Sequence, residues 1–189
     1  MSFMLLGILN AQATGGGAGA FDLLETTTLT SSASSVTFSG LDAYSDYKHL
    51  QIRMVAKSVY GGGDVLSFNL NGDTGSNYAY HYLRGTGSAV QSNDGVSTST
   101  PWIATLPGST ADSDSFGAIV LDILDFSSAN KNTTLRALSG STSGSVQIGL
   151  YSGLWNNTNA VTSVSLFPNS FGFTRNLVTG SRFSLYGVK

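Results

Sequence analysis

The chain of 189 residues contains no cysteine. That single absence excludes disulfide staples, thiolate metal sites and thiol nucleophiles together. Charge is scarce as well: Asp, Glu, Lys and Arg supply 11% of the residues, against about 25% in an ordinary soluble domain. Nine basic and eleven acidic residues leave a net charge of −2, and the basic ones form no run. Neither nucleic acid nor an anionic membrane surface would meet an electrostatic footprint here. Long apolar runs are missing too, and a membrane-spanning helix needs about 20 such residues in a row. The G-x-S-x-G elbow, the P-loop and the H-E-x-x-H zinc motif do not occur. The expectation is a protein that is not an enzyme, holds no metal or cofactor, and does not insert into a membrane.

What fills the space is Ser, Thr and Gly, with 23 glycines among them. A surface of hydroxyls, amides and backbone has few charges to desolvate, which suits packing against copies or neighbours. Aromatic and β-branched residues in short alternating runs argue against disorder. The most apolar run is FGAIVLDILDF (116–126), interrupted only by Asp122 and Asp125. Both of its alternating sets are apolar, so it is expected as a central strand covered on both faces. KHLQIRMVAKS (48–58) alternates instead, with Leu50, Ile52, Met54 and Ala56 toward a core and Gln51, Arg53 and Lys57 toward solvent. Leu66, Phe68 and Leu70 line one face of a strand that ends at Asn71-Gly72, the strongest hairpin signal in the chain, with its partner expected at 78–83. Residues 84–115 read as a long irregular stretch. Further strands are expected over 133–139, 146–154, 161–167 and 182–188. About nine or ten short strands with frequent turn signals predict an all-β, antiparallel β-sandwich of jelly-roll type over residues 21–189.

Residues 1–20 read differently. An apolar block with Phe3, Leu5, Leu6, Ile8 and Leu9 precedes a glycine-rich linker. The block spans about seven residues and has no basic n-region, so it is not read as a secretory signal. It is expected to be an attachment segment that docks on a sister subunit or another protein.

Candidate ligand-binding side chains are aromatic. Tyr78, Tyr80 and Tyr82 share one face of a strand, and Trp102 and Trp155 fall in or beside predicted loops. Such rings stack on sugars, or pack a core or an interface. His49 and His81 have no ligand-spaced partner and read as structural. Asp122 and Asp125 are three apart, which sends them to opposite strand faces and rules out a glycosidase pair; a partner for Arg136 or a strand-edge cap fits better. Asp73 has a weak look of a calcium loop but lacks the closing Glu.

Several phrases together resemble one family. FDLLETTTLTSSASSVTFSGL, YKHLQIRMVAKS, LNGDTGSNYAYHYL, LDILDFSSANKNTTLRALSG, SGLWNNTNAVTSVSLFPNS and SRFSLYGVK, with the opening LLGILNAQA, are similar to virion structural proteins of tailed bacteriophages of aquatic bacteria and cyanobacteria. The resemblance implies a non-enzymatic component on the particle exterior, assembled in the host cytoplasm and repeated by symmetry. It implies a tail-fibre or tail-tip protein, trimeric by analogy, that contacts other virion proteins and a host surface glycan. A capsid decoration protein is the alternative. No catalytic or binding residue set comes with it.

Overall fold

The computed structural model describes residues 19–141, 146–170 and 172–189. Thirteen strands run through them. In chain order they are β1 (Phe21–Thr28), β2 (Val36–Ser39), β3 (His49–Ala56), β4 (Asp64–Leu70), β5 (Tyr78–Gly85), β6 (Val90–Thr98) and β7 (Trp102–Leu106). After them come β8 (Gly117–Leu124), β9 (Thr133–Ser141), β10 (Gln147–Trp155), β11 (Ser163–Ser170), β12 (Phe173–Thr174) and β13 (Arg182–Val188). Among the described residues there is no α-helix, only a 3₁₀ turn at Leu41–Tyr44.

Eight strands form one antiparallel sheet in the order β1-β13-β3-β8-β9-β10-β5-β6. The second sheet runs β7-β4-β11, and β2 and β12 each pair with β11 in succession along its length. The two sheets pack as a β-sandwich. Alternation decides which residues meet between them. Leu50, Ile52, Leu121, Ile123 and Leu135 come from the larger sheet, and Leu66, Phe68, Leu70 and Leu166 from the smaller, all without solvent exposure. Each such side chain contributes roughly 1.5–3 kcal/mol on burial. β7 crosses beneath β5, β8, β9 and β10 and ties the layers together.

Four expectations are corrected. β8 is central, fourth of eight, but only one of its faces is covered: Ile119, Leu121 and Ile123 are buried, while Ala118 and Val120 are exposed. Phe126 is nonetheless buried, because Asp125 adopts φ 49° and turns the chain inward beyond the strand. Second, residues 84–115 are not one irregular stretch, since they hold β6 and β7. β6 is an edge strand with no buried residue, so neither of its faces carried an apolar alternation to read. Third, Asn71-Gly72 is no hairpin. Both residues have positive φ, 53° and 67°, as a two-residue turn demands. The strands it joins, however, lie in different sheets, and the turn carries the chain from one layer to the other. Fourth, Lys57 is buried rather than solvated, its ammonium donating to the carbonyls of Ala111 (3.1 Å) and Asp112 (2.7 Å). The loop after β7 folds over the end of β3 and supplies those acceptors.

The attachment residues Phe3, Leu5, Leu6, Ile8 and Leu9 lie outside the described residues.

Candidate functional site

The three tyrosines of β5 do share a face, and it is the inward one. Tyr78 is 1% exposed and meets Phe68 edge-on at 5.5 Å. Its hydroxyl accepts from the Leu70 N–H at 3.0 Å and donates to the Asp73 carbonyl at 2.9 Å. Burial pushes its phenol up to about 12. The unfolded chain then loses this proton near pH 10 while the folded chain keeps it, so stability falls as pH rises from about 10 to 12. A denaturation midpoint that declines through that window in the native protein, and less in Tyr78→Phe, is the expected result.

Tyr82 is buried as well, while Tyr80 and Trp102 are half-buried. Trp102 opens β7 and stacks across the layers on both tyrosines, 5.6 Å from Tyr80 and 5.9 Å from Tyr82 with planes within 18°. Tyr151 continues the group, 5.7 Å from Tyr82, and its hydroxyl bonds Thr105 at 3.1 Å. Tyr80 fits only because its cross-strand partner is Gly95: a Cβ there would stand 2.3 Å from the ring. Of the five aromatic candidates, only Tyr80 and Trp102 therefore reach solvent. The array offers at most one short aromatic edge for stacking.

Trp155 belongs to the core. It is 1% exposed, and its indole N–H donates to Asp73 Oδ2 at 2.8 Å. Asp73 also accepts from Asn77 Nδ2 (2.9 Å) and the Gly75 N–H (2.8 Å). These bonds, the one from Trp155 first, hold its carboxyl below the usual carboxylate range. The carboxylate that resembled a calcium ligand is the hub that closes its own loop. Among the described residues no group of three His, Asp or Glu could hold a metal ion.

His49, Asp122 and Asp125 find partners within the fold. His49 Nδ1 accepts the Asp125 N–H at 2.9 Å and lies 3.5 Å from the Asp125 carboxylate. Asp125 pairs with Lys131, whose hydrogen bond is the largest influence lowering its carboxyl. Asp122 bridges two neighbours on the sheet, accepting from Arg136 Nε and from Gln51 Nε2, each at 2.8 Å. His81 is exposed on that same outer face.

That face is the feature the sequence did not disclose. Strand register assembles Leu83, Leu150, Leu138 and Val120 into one row across β5, β10, β9 and β8. The adjoining row is Gly85, Ile148, Gly140, Ala118 and Val55, with Val90 opposite Gly85. Val90, Ile148 and Leu150 are 78%, 62% and 58% exposed. On the other side runs a polar row, His81, Ser152, Arg136, Asp122 and Gln51. Each strand alone shows one to three outward apolar residues, which is unremarkable. Their contiguity depends on pairings between strands far apart in sequence.

No family model, curated protein or solved structure matches the chain.

Proposed function

We propose that this is a non-enzymatic structural protein of a tailed-bacteriophage virion, a tail-fibre or tail-tip component attached through its N-terminal apolar segment and contributing to host-surface binding. The observation that carries this reading is the bare apolar band on the larger sheet of a chain with only 11% charged residues. Such a skin fits a protein that works among neighbouring subunits. The interleaving of early and late strands, β1 beside β13 and β3 between β13 and β8, supports reading the sandwich as a jelly-roll type. Repeated copies would stand on the particle exterior, with other virion proteins at the base. The half-exposed pair Tyr80 and Trp102 is what remains for a host glycan.

The breadth of the apolar band also favours a second reading, a decoration protein clamped between capsid subunits. Antibody labelling of purified particles that carry this chain separates the two. Label at the tail, together with competition by the free protein for adsorption to host cells, is the expected outcome. Label confined to the head, with adsorption untouched, would establish the second reading. Absence of the chain from purified particles would remove both.

A further inference from the structure

We infer that the outer face of the larger sheet is a self-association surface whose occupant is the same face of a second copy of this chain. The argument begins with area. Leu83, Val90, Val120, Leu138, Ile148 and Leu150, with Val55 beside them, leave about 600 Å² of contiguous apolar surface open, the upper end of what a lone protein tolerates. Two copies laid face to face remove about 1,200 Å², which is where specific, stable interfaces begin.

Relief supports the same occupant. Gly85 and Gly140 lie on this face with no side chain, and a shallow hollow forms beside Ile148 over each of them. A Cβ at Gly85 or Gly140 would meet nothing closer than 3.8 Å, so the hollows are open rather than filled by neighbours. Ile148, Leu138 and Leu150 stand as ridges between and beside them. A face that carries both ridges and hollows of one size is complementary to itself, which is what an isologous contact requires. Two sheets packing through such faces lie about 10 Å apart with their strands roughly aligned.

Charge does not oppose the contact. The bordering polar row pairs Arg136 with Asp122 and Asp122 with Gln51, and its further carboxylate, Asp94, stands beside His81 at the β6 end, off the apolar rows. Nothing in the apolar rows themselves is ionisable apart from Arg53 and Arg182 at one end. Arg53 borders the hollow over Gly140, and its guanidinium lies over the Tyr186 and Phe21 rings, 4.3 and 4.9 Å from their centroids.

The contact is a pair rather than the three-fold arrangement implied by the resemblance, and it does not rest on the virion reading. Particle labelling tests that reading, whereas the mass of the free protein tests this one. The full chain is examined by sedimentation velocity up to about 100 μM, beside Leu138→Asp/Ile148→Asp and the milder Leu138→Thr/Ile148→Thr. Both positions are exposed, so near-UV circular dichroism and the melting temperature are expected to hold. The expected result is a native dimer whose dissociation constant rises at least tenfold in the threonine variant, with only monomer detectable in the aspartate variant. A native monomer throughout the concentration range overturns the proposal. So does a dimer or trimer indifferent to both double substitutions. Deletion of residues 2–13 separates the remaining occupant: a chain that pairs only after the deletion has that segment on the face instead.

Discussion

Trp155→Ala is expected to destabilise the protein by about 3–5 kcal/mol, the range for emptying a large aromatic site in a packed core. At about 2–4 °C per kcal/mol for a chain of this size, the melting temperature falls by roughly 10 °C. Two losses combine. The ring, 1% exposed, leaves a void beneath β10, and Asp73 loses the first of the bonds that fix the loop from Asp73 to Asn77. Trp155→Phe separates them, because it keeps most of the volume and removes only the N–H donor. Its cost is expected at about 1–3 kcal/mol, the worth of a hydrogen bond to a charged acceptor. Urea denaturation of both variants measures the difference. A Trp155→Ala protein within about 1 kcal/mol of the native one would mean the ring is not core, and Trp155 would return as a surface aromatic.

Asn71→Val is expected to cost about 3 kcal/mol or more through a different route. Asn71 holds φ 53°, where a β-branched side chain is strained. Its amide also bonds four groups at the start of β11: the Ala160 carbonyl at 2.8 Å, the Thr162 N–H at 2.7 Å, the Thr162 hydroxyl at 3.2 Å and the Ser163 N–H at 3.1 Å. The turn that moves the chain between layers is thereby fastened to β11, the neighbour of the strand it leaves. Asn71→Gly keeps the backbone geometry and loses only the side-chain bonds, so its cost is expected at about 1–2 kcal/mol. The ordering Val worst, Ala intermediate, Gly mildest is the signature of the mechanism. Equal losses for Val and Gly would show that backbone strain plays no part.

These two sites illustrate where local chemistry is legible in a sequence and where it stops. The positive φ at Asn71-Gly72 was readable, since few residues tolerate it. Which strands the turn connects was not, because a turn's dihedral angles do not specify whether the next strand pairs back or crosses to another sheet. β3 was transparent: Leu50, Ile52, Met54 and Ala56 alternate with polar residues, and burial follows that alternation. β6 was invisible, since a strand with no layer beneath it has no reason to alternate.

The candidate site divides along the same line. A period of two places Tyr78, Tyr80 and Tyr82 together, but it does not say whether their shared face looks inward. Trp102 gave no sign of joining them, because the contact spans two sheets. β8 is the most instructive case. Apolar residues on both of its alternations imply cover on both sides, whereas Ala118 and Val120 face outward with Leu138 and Leu150 beside them. Composition records that a surface is apolar. It does not record whether its cover comes from the same chain.

Both margins of the larger sheet are irregular. Register slips between Leu23 and Glu25 in β1 and between Tyr78 and Tyr80 where β5 meets β6, and Ser97 in β6 adopts φ 51°. Bulged borders of this kind present no straight ladder of free amides to an incoming strand. A chain with so little electrostatic repulsion would otherwise be prone to grow sideways into endless ribbons. Spoiled hems of this kind disfavour strand-by-strand addition at either border and so guard against fibril growth.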